Sequence, residues 1–148
     1  MRRGQAAIEF IFLVLIVIVY ITTVVIPLSR DAQNVISDVD GVSRANNETQ
    51  KVVNAINEVS SLGEGSRQTV ITFLPIDSAI YCKDKNISFE VKLKQAPYPA
   101  QCQNGVCKKT FKIPSTATLD CRAPNISGGK TSVIIEKSAD KIIFTKGS

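Results

Sequence analysis

Residues 6–26 carry a single charge, Glu9, in a stretch otherwise made of aliphatic, aromatic, small and hydroxyl side chains. As a helix this stretch spans roughly 31 Å, against about 30 Å of bilayer hydrocarbon. Arg2 and Arg3 precede it, and Arg30 and Asp31 follow it. The positive end is expected to stay in the cytoplasm, which puts the C-terminal bulk of the chain outside. An ordinary secretory signal has a shorter apolar region and a small-residue exit. Here the run is too long, and Val24-Val25-Ile26-Pro27 offers no such exit. A plain membrane anchor accounts for the hydrophobicity and leaves Glu9 unexplained. A carboxylate costs about 2.5–3.5 kcal/mol at the centre of a span, and less toward an end, so it is kept there for a reason.

Beyond Leu28 the helical pattern continues. Val35, Ile36, Val39 and Val42 recur at helical spacing, as do Val52, Val53, Ile56, Val59 and Leu62. Between the two sets, residues 43–51 read as polar on every face, so the helix either crosses an exposed stretch there or breaks. Pro27 either kinks the helix or marks the joint between a membrane half and an amphipathic half. Gly63-Glu64-Gly65-Ser66 supplies a C-cap and a linker.

After residue 66 the period becomes strand-like. Expected strands are Thr69–Leu74, Ala79–Cys82, Ile87–Leu93, Cys107–Ile113, Thr116–Asp120, Thr131–Glu136 and Lys141–Thr145, rich in Val, Ile, Thr and Phe. Pro75, Pro97, Pro99, Asn104-Gly105, Pro114, Pro124 and Gly128-Gly129 supply the turns between them. The expected fold is therefore α+β, a long N-terminal hydrophobic helix over residues 5–62 and a small, sandwich-like all-β domain over 66–148. The helix divides into a membrane half, 5–28, and an amphipathic half, 29–62.

Four cysteines, Cys82, Cys102, Cys107 and Cys121, fall in the C-terminal half. Zinc would need closer pairs or histidine partners, and the chain has no His. An even count on the exported side favours two disulfides, for which three connectivities exist. Asn104-Gly105 is a tight-turn pair that sets its flanking cysteines opposite each other. It favours Cys102–Cys107, and with it Cys82–Cys121.

The absence of His also removes the commonest general base, so hydrolase and metal-site readings lose their first requirement. Asp77 beside Ser78, and Glu136 beside Lys137, read as loop and strand-face groups, so no enzyme and no cofactor is expected. The formal net charge of +5 is spread along the chain, and Lys108-Lys109 reads as a solvated strand end. Nucleic acid is not an expected partner.

Residues 2–13, Arg2-Arg3-Gly4-Gln5-Ala6-Ala7-Ile8-Glu9-Phe10-Ile11-Phe12-Leu13, resemble the prepilin leader and N-terminus of archaeal type IV pilins. That group carries Q-x-S-x-E-x-x-x-L after a short basic leader. Gln5, Glu9 and Leu13 match, and Ala7 stands where Ser is usual. The resemblance implies a leader of residues 1–4 cut by a membrane prepilin peptidase between Gly4 and Gln5. It also implies a structural subunit that leaves the membrane for a helical homopolymer, driven by an assembly ATPase and a membrane platform protein. Surface attachment or cell–cell adhesion follows from the resemblance alone. Archaellins, the motility subunits, usually lack the Gln5…Glu9 arrangement. A monomeric membrane-anchored binding protein with an external β-domain is the rival from another class. Three N-x-S/T sequons, at Asn47, Asn86 and Asn125, lie on the expected outer side and are candidate N-glycosylation sites.

Overall fold

The computed structural model describes residues 2–94, 102–113, 118–123 and 125–147, the side chains of residues 2–7 excepted. The chain divides into two compact units, Met1–Ser37 and Asp38–Ser148.

The first unit is helical. Helix α1 covers Arg2–Tyr20, a π-helical turn covers Ile21–Val25, and α2 begins at Ile26 and ends at Ser61. The wider turn lies directly before Pro27, whose ring nitrogen cannot donate to a carbonyl one turn back. The backbone N–H of Ile26 donates instead to Ile21 O. Hydroxyls occupy the neighbouring carbonyls: Thr22 Oγ1 donates to Ile18 O at 2.9 Å, and Thr23 Oγ1 to Val19 O at 2.6 Å. Pro27 is thus absorbed by one π turn and two threonines, and helical structure continues on both sides of it.

The second unit combines the rest of α2 with one curled, seven-stranded sheet. Its strands are β1 (Arg67–Lys83), β2 (Asn86–Lys92), β3 (Cys102–Gln103), β4 (Val106–Lys112), β5 (Thr118–Cys121), β6 (Asn125–Ser138) and β7 (Lys141–Lys146). They lie in the order β3-β4-β2-β1-β6-β7-β5. All pairings are antiparallel except β5 with β7. The α+β layout is the one expected, but a helix replaces the second layer of a two-sheet sandwich. The reason lies in α2, whose buried residues Ala45, Glu48, Thr49, Val52, Val53, Ala55, Ile56 and Val59 spread over roughly 160° of its surface at about 100° per residue. A face that wide needs a sheet bent around it, and a second sheet would then have nothing left to cover.

Residues 43–51 are helical, and the helix does not cross open solvent there. Ala45, Glu48 and Thr49 are buried, while Ser43, Arg44, Asn47, Gln50 and Lys51 are exposed. Thr49 enters the core because its hydroxyl donates back to Ala45 O at 2.7 Å, so no buried donor is left without an acceptor. Beyond the cap, Lys137 of β6 donates to Ser60 O at 2.8 Å and Leu62 O at 2.6 Å, placing a cation on the end carbonyls. Asp38, at the other end of this stretch, accepts from the backbone N–H of Lys94 at 2.8 Å.

Against this helix the inner face of the sheet sets Leu74, Ile80, Ile87, Phe89, Val91, Ile126, Val133, Ile135, Ile142 and Phe144. Each such aliphatic or aromatic side chain contributes about 1.5–3 kcal/mol by leaving water. Two expected strands, Thr69–Leu74 and Ala79–Cys82, are a single long strand, because Pro75 occupies an irregularity and does not end it. Leu74 pairs with Gly129 and Ala79 with Ser127, so β1 carries extra residues here. The bulge sits where β1 changes its second neighbour, pairing with β2 only from Ser78 onward. Gly128, expected in a turn, lies within β6 under the bulge. A Cβ at Gly128 would meet Pro75 O at 2.1 Å and Ile76 O at 2.6 Å.

Asn104 and Gly105 turn between β3 and β4 with φ of 51° and 76°, the left-handed pair that this dipeptide favours. The expected turns at Pro97, Pro99, Pro114 and Pro124 lie outside the described residues, as do Thr116 and Ala117 of the fifth expected strand.

Candidate functional site

Every described side chain from Ile8 to Ser37 is exposed on the single chain. Phe10, Phe12, Leu13 and Ile16 each expose over 60% of their surface. The helix beginning at Ile8 is long and apolar enough to cross a membrane. A bare apolar surface of this size marks a place where lipid or other protein is the intended neighbour. Glu9 stands exposed near the start of that surface, and no ion pair to it occurs among the described residues. Gly4 and Gln5 belong to the first turns of α1, and their side chains lie outside the described residues.

The β-domain holds the remaining expected sites. Cys82 is bonded to Cys121 and Cys102 to Cys107. Cys82 is buried on the inner face of β1, and its bond ties that strand to β5 with 5.7 Å between the Cα atoms. The second pair are direct cross-strand partners on β3 and β4. Asn47, Asn86 and Asn125 are all exposed, on α2 and at the starts of β2 and β6. Asn86 pairs with Lys83 and Asn125 with Tyr81, so these two flank the C-terminal end of β1.

Groups read as structural from sequence have local partners. Ser78 Oγ donates to Pro75 O at 2.7 Å within the bulge, and Lys137 caps α2 as described. The Lys108-Lys109 pair lies inside β4 and not at a solvated strand end. Lys108 Nζ is 2.8 Å from Glu90 Oε1, whose hydrogen bond and charge raise the lysine pKa above its ordinary value. Lys109 Nζ donates to Asn46 Oδ1 at 2.9 Å and lies over the Phe111 ring.

One surface was not anticipated. On the outer face of the sheet, away from α2, Ile71 and Phe73 of β1 are 51% and 56% exposed, and Ile76 on the bulge is 91% exposed. Half-buried Ile134 of β6 and Ile143 of β7 continue this face. A signal for it exists in the sequence. Val70-Ile71-Thr72-Phe73-Leu74 is a nearly unbroken apolar run, as are Val133-Ile134-Ile135 and Ile142-Ile143-Phe144. Strands covered on one face alternate; these have the pattern of strands covered on both.

Comparison with protein-family models, with curated proteins and with solved structures gives no match.

Proposed function

We propose that the chain is the structural subunit of an extracellular type IV pilus, made as a membrane-anchored prepilin. A prepilin peptidase cuts it between Gly4 and Gln5, and the N-terminal helix then polymerises. The observation that carries this reading is an apolar helical stretch whose side chains from Ile8 to Ser37 are all exposed, with one carboxylate, Glu9, near its start. Cleavage creates an α-amine on Gln5, four residues before Glu9 in sequence. As the helix leaves lipid, Glu9 offsets that charge within one subunit or between neighbours, because a carboxylate enclosed among apolar helices needs a partner. Side chains from Ile8 to Ile26 exchange lipid for equivalent helices, so apolar burial is kept while the surroundings change.

Contacts between different faces of identical subunits, repeated with a rotation that does not close a ring, give an open helical polymer. An assembly ATPase and a membrane platform supply the work of extraction. The disulfide-tied β-domain forms the outer surface, with glycans on Asn47, Asn86 and Asn125. Attachment to surfaces or other cells is the use this assembly serves. The test is an image, at side-chain resolution, of filaments sheared from producing cells. Helices from Ile8 to Ile26 packed along the filament axis are expected. Cells that hold the protein only as a membrane-anchored monomer contradict the reading.

A further inference from the structure

The outer face of the sheet has an apolar centre, with Lys130 and Lys146 on one side of it and Asp77 and Glu136 elsewhere at its margin. Phe73 pairs across to Lys130 and Ile71 to Ser132, and Thr69 to Ile134. Lys130 Nζ lies 5.8 Å from the Phe73 ring centroid. Beside this cluster an open depression of about 350 Å³ is lined by Ile71, Lys130, Thr131, Ser132, Lys146 and Gly147. Two lysines and an isoleucine around one concavity suit a ligand surface that brings an apolar side chain and a carboxylate together.

Two copies of this face would not suit each other, since Lys130 and Lys146 of one would meet the same residues of the other. The chain carries a surface of the opposite character. On α2, at about 100° per residue, Leu28, Ala32, Val35 and Ile36 share one side of the helix with Asp31, while Arg30 points to the opposite side. Leu28 and Ile36 are each 68% exposed, and Asp31 is exposed and in no ion pair among the described residues. The stripe stays bare as far as Val39, which is 62% exposed; from Ala45 onward the apolar side of the helix is spent on its own sheet.

We propose that the outer sheet face around Ile71, Phe73 and Ile76 receives the Leu28–Ile36 stripe of a second copy of this chain, with Asp31 set between Lys130 and Lys146. This contact rests on the assembly reading above and adds to it a second interface, outside the apolar core. It joins two different surfaces, so each copy offers one of each, and the contact propagates as an open filament where the rotation between copies does not close a ring. It also accounts for the both-faces-apolar pattern of β1, β6 and β7, because the second cover comes from a neighbour.

The test uses the full chain in cells that make filaments, with sheared filament yield normalised to mature subunit in the membrane. Asp31→Lys alone, and Lys130→Glu with Lys146→Glu, are each expected to lower the yield by about tenfold or more, the effect of losing about 1.4 kcal/mol per contact. Combining all three reversals is expected to restore most of it. Phe73→Ser with Ile76→Ser is expected to lower yield with no rescue by the charge changes. These side chains lie outside the folded core, and disulfide-bonded mature protein in the membrane checks folding. Unchanged yield in the single-side reversals, or a combined variant as poor as they are, overturns the contact. Normal filaments from Phe73→Ser/Ile76→Ser that no longer hold cells to a surface overturn it too, assigning the patch to an outside receptor. If the unaltered chain makes no filaments, the assembly reading itself fails, a result distinct from these.

Discussion

The Glu48 carboxylate of α2 accepts a hydrogen bond from the backbone N–H of Phe73 at 3.2 Å. Its other oxygen takes Lys51 Nζ at 2.6 Å. Phe73 lies in the part of β1 that precedes the pairing with β2, so its N–H on that side has no strand to donate to. An uncovered strand edge invites pairing with another chain, and a helix laid across it is one remedy. Glu48 performs that cover with a single side chain, and Gln68 Nε2 reaching Glu58 Oε2 at 3.1 Å adds a second tie farther along the same strand and helix.

Glu48→Ala removes the acceptor and leaves the Phe73 N–H without a partner beside a buried helix face. The expected cost is about 1–3 kcal/mol. Glu48→Gln keeps an acceptor oxygen and is expected to lose less than the alanine variant. Denaturant unfolding of the two variants checks the order, and equal losses would show that packing, not the hydrogen bond, holds this point.

Gly128→Ala tests the bulge. The added Cβ would lie far inside contact distance of the Pro75 and Ile76 carbonyl oxygens, which are backbone and cannot swing away. Overpacking of this kind costs about 1–3 kcal/mol. Gly63→Ala meets nothing within 4 Å and is expected to stay within about 0.5 kcal/mol of the parent. Thermal melts of both variants, compared with the parent, provide the reading.

The two disulfides differ in what they restrain. Cys82–Cys121 closes a sequence separation of 39 and Cys102–Cys107 one of 5. On the chain-entropy account the first is worth roughly 4 kcal/mol and the second roughly 2 kcal/mol. Paired Cys→Ser replacement at each bond, followed by unfolding, is expected to show the larger loss for Cys82 and Cys121, with a further cost for opening the core at Cys82. A larger loss at Cys102 and Cys107 would reverse this ranking.

Glu9→Gln and Glu9→Ala are expected to be synthesised and inserted like the parent, because removing a charge from an apolar span makes insertion easier. Assembly is where they are expected to fail, with membrane subunit retained and filament lost. Filaments in parental amounts from either variant would remove the proposed pairing between Glu9 and the Gln5 amine.

Much of the architecture was legible because it rests on periodicity. The change from helical to alternating spacing near residue 66 is also where α2 gives way to β1. The Asn104-Gly105 turn is local chemistry, and it appears with the expected positive φ values. What was not legible depends on neighbours distant in sequence. Pro75 reads as a turn because proline ends strands, yet here β1 bulges through it while changing its partner. Residues 43–51 read as exposed because Glu48 and Thr49 are polar. The burial of Glu48 follows from the distant Phe73 N–H, which no helical pattern displays; Thr49 enters beside it because its hydroxyl bonds back to Ala45 O, one turn earlier. Two-residue β3 is too short for any period to mark. For the apolar helix the sequence holds the whole case, since its described side chains from Ile8 to Ser37 find no cover within the single chain.

The central claim is that this helix is an assembly element released by cleavage, and the mass of the mature N-terminus tests it most directly. Protein isolated from the cell surface is expected to begin at Gln5, with residues 1–4 removed. A chain that retains an intact Met1 would contradict the account and leave residues 6–26 as a membrane anchor.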